Sequence, residues 1–293
     1  MTVEEPLFPG FAEARIPTGD AEIFVRYGGS GPAVMLLHGH PRTSATWHRV
    51  APLLVEQGFT VICPDLRGYG RSRGPRPVPD HSAHSKRAVA ADMVEVARRL
   101  GQERFHLAGH DRGSYVALRL AIDHPDRVDR LALMDCIPIT EHLRRADARF
   151  ATSWWHWFFF AQPAIPERVI NADPDAWYAA KADAETMGAA NHAELRAAVH
   201  DPEVVRAMLE DYRAGLTVDR EHEEADRSAG RRIDAPTLIL WSAHDDLESL
   251  HGDPLEIWRA WATDVRGHRV DSRHHMAEEA APDVAASLGR FFS

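Results

Sequence analysis

Short apolar runs separated by longer stretches of helical period set the pattern of this chain. Runs at 33–37, 60–63, 105–108 and 130–134 read as strands, and the helical stretches between them alternate with the strands as a parallel sheet covered on both faces by helices requires. The same grammar returns near the C-terminus, with a strand at 237–241, a helix at 255–262, a short strand at 268–270 and a last helix from Pro282. Between the two halves the pattern changes. From about 138 to 230 there is no strand-like run; Ala, Arg and Glu recur at helical spacing, and breaks fall near Pro163, Pro166, Asp173-Pro174 and Asp201-Pro202. The expected organisation is an α/β core of residues 1–137 and 231–293 and an inserted helical cap at 138–230.

With 293 residues the chain has room for such a core and an insertion. Hydrophobic residues at 44% and charged residues at 27% are those of an ordinary globular protein, and the formal charge of −10 weighs against nucleic acid or an anionic membrane as partner. A small-molecule substrate fits better. The two cysteines, Cys63 and Cys136, each sit at the end of an apolar run, so a disulfide framework is not expected. The N-terminal residues lack a basic region followed by an apolar one, and no apolar run approaches the roughly 20 residues of a membrane helix. The expectation is a cytoplasmic protein, with a homodimer left open. The 18 histidines are scattered without metal-ligand spacing, so neither a metal nor another cofactor is expected.

The strongest chemical signal is Gly109-His110-Asp111-Arg112-Gly113, directly after one strand and directly before the helical stretch that starts at Ser114. A glycine-flanked strand-to-helix elbow of this kind exposes a nucleophile above a parallel sheet, here with a carboxylate in the nucleophile's place. Helix capping by Asp111 is the plainer alternative. A carboxylate nucleophile selects the reaction: attack on an acyl group gives an unstable anhydride, whereas attack on a saturated carbon gives an ester. The substrate should therefore carry a halide or a strained epoxide oxygen, and water should then hydrolyse the ester with help from a histidine base and an oxyanion hole. Backbone N–H groups of His40, in His38-Gly39-His40-Pro41, and of Arg112 are the expected oxyanion donors. The base lies in Ser272-Arg273-His274-His275, where two histidines compete, and the acid that orients it is either Asp135 or Asp245, both at strand ends. In the cap, His156 and Trp157 bring N–H donors into an aromatic wall, and Tyr178 and Tyr212 are candidate O–H donors.

These motifs, together with Leu36-Leu37 before His38, Trp47-His48-Arg49-Val50-Ala51-Pro52, Asp211-Tyr212-Arg213-Ala214-Gly215 and Ile257-Trp258-Arg259-Ala260-Trp261, resemble the fluoroacetate dehalogenases, the haloacetate branch of the α/β hydrolases. The resemblance runs nearly the whole length. It implies the α/β-hydrolase fold, with Asp111 as nucleophile, Asp135 as acid, Arg112 as binder of the substrate carboxylate, and His156, Trp157 and Tyr212 as the halide pocket. Ungapped matching of Glu278-Glu279 to the family's apolar-Glu-Glu segment selects His274 over His275 as the base. The implied activity is hydrolytic dehalogenation of small 2-haloacids, with water as the second substrate.

Three positions depart from the family pattern. Tyr115 stands where a second arginine for the carboxylate is usual, Arg273 replaces a glycine before the base, and Glu185 falls where an active-site tryptophan is usual. Loss of one arginine weakens the case for fluoroacetate more than the case for dehalogenation, and arginine at position 115 is expected to improve haloacetate binding. An epoxide hydrolase is the alternative, since the same Asp and His serve it once a tyrosine donates a proton to the ring oxygen. A His-Trp-Tyr cluster in the cap would favour halide; two convergent tyrosine hydroxyls would favour an epoxide. A non-catalytic binding protein on the same fold would have no use for an Asp, a His and an acid in this chain order.

Overall fold

A computed structural model describes residues 6–178 and 183–293. Eight strands, β1 (Ala12–Pro17), β2 (Glu22–Gly29), β3 (Ala33–Leu37), β4 (Thr60–Pro64), β5 (Phe105–His110), β6 (Val128–Met134), β7 (Thr237–Ser242) and β8 (Val265–Val270), form one sheet in the order β1-β2-β4-β3-β5-β6-β7-β8. From β4 to β8 every neighbouring pair is parallel, while β2 runs antiparallel to both β1 and β4. The expected strands are all present. The hairpin β1–β2 was not anticipated, because its outer strand, Ala-Glu-Ala-Arg-Ile-Pro, is largely exposed and carries charges where an apolar run would announce a strand.

Successive side chains of a strand point to opposite faces, and the core divides accordingly. Met35, Leu37, Leu107, Leu131 and Leu133 join one apolar cluster with Val89, Met93, Val116 and Leu120 of helices Lys86–Arg99 and Arg112–Asp123. Val34, Leu36, Ala108, Ala132 and Met134 join the other, with Val50 and Leu54 of helix Val50–Glu56 and Val284 and Leu288 of helix Ala281–Phe292. Cys63 and Cys136 are buried free thiols. Among the described residues no helix is long and apolar enough to cross a membrane.

Between β6 and β7 the described residues form helices and their connections, from Ile139–Arg144 to Arg220–Ser228. The expected breaks serve as helix starts: Asp201 caps its helix by accepting the Glu203 N–H, and Pro202 occupies the first turn, where its missing N–H costs nothing. Helix Pro202–Ala214 runs through a π-helical turn, Gly215–Asp219, into Arg220–Ser228. Both ends of the inserted segment meet at Glu223, whose carboxyl accepts the Ile139 and Thr140 N–H groups at 3.2 and 2.7 Å. Burial pushes Glu223 up to about 7, against these hydrogen bonds. Arg119 on the core helix bonds Asp226 at 2.6 Å, and Phe150, Trp154 and Trp157 share the apolar cluster of the underlying sheet face. The helix expected at 255–262 is the shorter Pro254–Trp258, after which Trp261 folds back to give its N–H to Glu141 at 3.2 Å.

The turn from β5 into helix Arg112–Asp123 depends on close backbone contact. A Cβ on Gly113 would lie 2.4 Å from the Leu37 carbonyl oxygen and 2.5 Å from that of His38. Gly113→Ala should therefore destabilise the fold by about 1–3 kcal/mol, the usual result of forcing atoms into a packed interior; equilibrium urea unfolding measures it.

Candidate active site

Asp111 stands between β5 and helix Arg112–Asp123 with φ 51° and ψ −120°, a backbone that lifts its carboxylate off the C-terminal end of β5. Its Oδ1 accepts the His40 N–H at 2.7 Å. That approach requires Gly39, since a Cβ there would lie 2.4 Å from Asp111 Oδ1. The other anticipated donor, the Arg112 N–H, opens the helix immediately after Asp111. Oδ2 faces His274, whose Nε2 is 3.8 Å away. Burial works against the Asp111 charge, but His274, Arg112 and the His40 N–H outweigh it and hold the carboxyl below its ordinary range.

The loop after β8 carries His274 to this position, and its Nδ1 meets both candidate acids, Asp135 Oδ2 at 2.7 Å and Asp245 Oδ2 at 3.1 Å. Asp135 follows β6 at φ 52°, with its Oδ1 accepting the Ser242 N–H at 3.1 Å. Burial raises the Asp135 carboxyl, the bond to His274 opposing it. Asp245 is a quarter exposed, and its bond to His274 overcomes partial burial to hold it down at about 2. Desolvation alone would lower His274; the carboxylates of Asp135, Asp245 and Asp111 reverse this and hold its imidazolium well above the ordinary histidine range. His275 instead begins the short helix Met276–Glu279, its carbonyl accepting the Glu278 and Glu279 N–H groups.

A cavity of about 740 Å³ opens above Asp111 and His274. His40, His156, Trp157 and Tyr212 line it, and the Tyr212 ring lies 5.9 Å from His156 and 6.2 Å from Trp157. Three residues passed over in the sequence complete the frame. His110, pulled down to about 4 by burial, is neutral and donates from Nε2 to the His274 carbonyl at 2.7 Å. Arg42 grips Glu278 through two bonds of 2.9 Å, tying the loop after β3 to the helix behind the base. Asp246 accepts the Trp154 N–H at 2.9 Å, tying the loop after β7 to the inserted helices. His110 lies within the elbow motif, Arg42 directly follows Pro41, and Glu278 belongs to the Glu278-Glu279 segment; their pairings join segments far apart in sequence.

Four expectations need correction. The Arg112 guanidinium does not line the cavity: Nε and Nη2 bond Asp211 at 2.5 and 2.7 Å, and its Cζ sits 4.1 Å from the Tyr212 ring centroid. Tyr115 is buried and does not line it either. Its hydroxyl pairs with His142 Nε2 at 3.0 Å, and His142 Nδ1 pairs with His251 Nε2 at 2.9 Å, a chain that draws the phenol away from Asp111. Tyr178 is likewise outside, its hydroxyl directed at Met208 sulfur at 3.9 Å. Glu185 is exposed, and its neighbours Thr186 and Met187 line the cavity in its stead. Arg273 does line the cavity, as an exposed residue whose N–H donates to Glu279.

Comparisons with known proteins agree with this architecture. A family model described as alpha/beta hydrolase fold matches residues 32–282. A fluoroacetate dehalogenase from Burkholderia sp is 39% identical over 98% of this chain and 95% of its own length. A soluble epoxide hydrolase from Corynebacterium sp. (strain C12) is 32% identical over 90% of this chain and 91% of its own. Among solved structures, a proposed alpha/beta hydrolase from Nostoc sp PCC 7120 superposes with a TM-score of 0.93 at 40% identity, covering 97% of this chain and 98% of the other. The chain belongs to the α/β-hydrolase fold family and, within it, to the fluoroacetate dehalogenase-like branch.

Proposed function

We infer that the protein is a hydrolytic dehalogenase of small 2-haloacids that works through an ester on Asp111. The observation that carries this reading is the pairing of the two Asp111 oxygens, Oδ1 on the His40 N–H at 2.7 Å and Oδ2 turned toward His274 Nε2 at 3.8 Å. Asp111 Oδ2 attacks the carbon bearing halogen, the C–O bond forms as the C–halogen bond breaks, and halide leaves. His156, Trp157 and Tyr212, which line the cavity, offer the departing anion N–H and O–H donors. His274 then takes a proton from water through Nε2 while the hydroxide adds to the Asp111 carbonyl carbon, with the oxyanion held by the His40 and Arg112 N–H groups. Collapse breaks the bond to the substrate oxygen, which leaves as the hydroxy acid with the proton held by His274. Asp135 orients the imidazole. The inserted helices act as a cap, and small-molecule substrate and water are the only partners this chemistry requires.

An epoxide reading keeps the same Asp and His and is supported by the kinship to the Corynebacterium epoxide hydrolase. It calls for hydroxyl donors converging on the ring oxygen. Tyr212 reaches the cavity and Tyr178 does not, so the His156, Trp157 and Tyr212 cluster favours halide. Halide release measured beside epoxide opening on small substrate panels separates the two. Asp111→Asn should lose turnover while keeping the fold. His274→Ala should accumulate the covalent ester by mass spectrometry and His275→Ala should not; the reverse pattern reassigns the base.

With the Arg112 guanidinium turned from the cavity onto Asp211 and a tyrosine at 115, the site lacks the arginine pair that the family offers a haloacid carboxylate. Loss of one charge-assisted hydrogen bond, about 1.5–3 kcal/mol, implies haloacetate binding roughly ten- to a hundredfold weaker than in a two-arginine site. Bromo- and chloroacetate should accordingly be turned over better than fluoroacetate, whose stronger bond demands tighter positioning. Burial of Tyr115 against His142 reverses the expectation for Tyr115→Arg. The new cation would lie buried near Arg112, whose Cζ is 5.2 Å from the tyrosine ring centroid, with neutral histidines as neighbours. It should destabilise the protein by about 3–5 kcal/mol, the toll of an uncompensated buried charge, and leave the Michaelis constant for haloacetates unimproved. Thermal unfolding and steady-state kinetics check both statements.

A further inference from the structure

The loops after β6 and β7 each deliver a carboxylate to the same nitrogen of His274. Asp135 Oδ2 lies 2.7 Å from Nδ1 and Asp245 Oδ2 lies 3.1 Å from it. The Nδ1 hydrogen bond goes to Asp135, and Asp245 Oδ2 stands at ion-pair distance from the same nitrogen. We propose that Asp245 is a second positioning carboxylate, acting with Asp135 on His274 during hydrolysis of the Asp111 ester. The proposal rests on the aspartyl-ester reading given above.

The placement of Asp245 is built by its loop. The Ala243 N–H donates to the Val270 carbonyl at 2.9 Å and the His244 N–H to that of Ser272 at 3.1 Å, fastening the loop to the segment that carries His274. On the other side Asp246 holds the Trp154 N–H. Asp245 is thus fixed between the base segment and the inserted helices. Asp135 is fixed from the sheet: its N–H donates to the Leu240 carbonyl at 2.8 Å and its Oδ1 accepts from the Ser242 N–H. Ser242 is common to both, giving its N–H to Asp135 and accepting the His244 N–H on its hydroxyl, but each acid also keeps backbone bonds that do not involve the other carboxylate.

When His274 takes a proton from water, the new charge spreads over both ring nitrogens. Asp111 faces it at Nε2, 3.8 Å away, and Asp135 and Asp245 face it at Nδ1. The other titratable groups around the ring are His110, with centroids 4.9 Å apart, His275 at 5.1 Å, and Asp246 beside Asp245. Arg273 and Glu279 flank the base segment, joined by a backbone N–H bond. Carboxylates outnumber cations here, which stabilises the imidazolium. In a triad with one acid, replacing that acid by its amide misdirects the imidazole and costs on the order of 10⁴ in rate. With two acids the burden divides.

The test is single-turnover hydrolysis of the ester formed from bromoacetate, followed by mass spectrometry across a pH series in wild type, Asp135→Asn, Asp245→Asn and the double variant. Each single variant should slow ester hydrolysis by roughly tenfold, about the effect of one hydrogen bond. The double variant should slow it on the order of 10⁴-fold, far beyond the product of the singles. Asp245→Asn should also shift the acid limb of the rate to lower pH: removing a carboxylate that favours the imidazolium lets His274 remain a neutral base in more acid solution. A merely structural Asp245 leaves that limb where it is. Because Asp245 is partly exposed, its variant remains informative even if Asp135→Asn does not fold. Wild-type rate and limb in Asp245→Asn, with ester still formed, overturn the proposal alone. Failure of His274→Ala to accumulate ester overturns the underlying reading as well.

Discussion

Asp111 sits at φ 51° and ψ −120°, a conformation a residue with a side chain keeps only when its surroundings hold it there. The hold comes from three glycines, two that let backbone meet backbone and one that admits the Asp111 carboxylate. A Cβ on Gly109 would lie 2.4 Å from the Gly113 carbonyl oxygen, one on Gly113 would meet the carbonyls of Leu37 and His38, and one on Gly39 would meet the Asp111 carboxylate. β3, β5 and the start of helix Arg112–Asp123 are thereby locked together, and the His40 N–H reaches Asp111 Oδ1 as a result. Relaxing the elbow to an ordinary turn would cost this bond as well as the approach to His274. Backbone strain here is the means by which a sheet end presents a carboxylate upward.

That geometry concentrates negative charge. Asp111, Asp135 and Asp245 all approach one imidazole, and the fold offsets them with His274 held protonated more readily than an ordinary histidine. A different balance holds beneath the cavity. Lys86 Nζ bonds Asp211 Oδ1 at 2.5 Å, and Asp211 Oδ2 takes Arg112, so two buried cations share a carboxylate, with Asp219 completing the set. Buried ions satisfied in this way are costly to disturb, since removing one partner strands another. Arg112 is therefore better placed as an internal counter-ion than as a free clamp for substrate.

How much of this could be read from the sequence depended on range. The parallel strands, the elbow and the helical insertion are local patterns, and each appeared where period and glycine spacing put it. The hairpin β1–β2 escaped because an edge strand needs no continuous apolar run. Asp111, the His40 donor and His274 were named from short motifs and the resemblance, and the structure brings them together. The resemblance put Asp135 ahead of Asp245 as the acid, while residue pattern alone left both open, since they end neighbouring strands; in the structure both reach Nδ1 and Asp135 is the nearer. Tyr115 and Arg112 misled for a different reason. Their positions along the helix point toward the nucleophile, but their polar atoms are claimed by His142 and by Asp211, partners 27 and 99 residues away that no spacing rule connects.

Asp211 itself explains why the inserted helices and the cavity cannot be treated separately. It lies on helix Pro202–Ala214, one residue before Tyr212, and the π-helical turn that follows gives up regular hydrogen bonding just where Gly215 passes Arg112. A Cβ at Gly215 would come 3.0 Å from Arg112 Nη2. The chain there is thus narrow on the side that faces the guanidinium, and the altered helical turn lets one continuous segment place Asp211 on Arg112, turn Tyr212 into the cavity and carry on to Glu223, which closes the insertion at Thr140. A shift of this helix would move the cavity wall, the counter-ion of Arg112 and the hinge of the insertion together. The same segment therefore sets the shape of the cavity and the charge below it, which makes substrate selection a property of the inserted helices as much as of the sheet that carries the nucleophile.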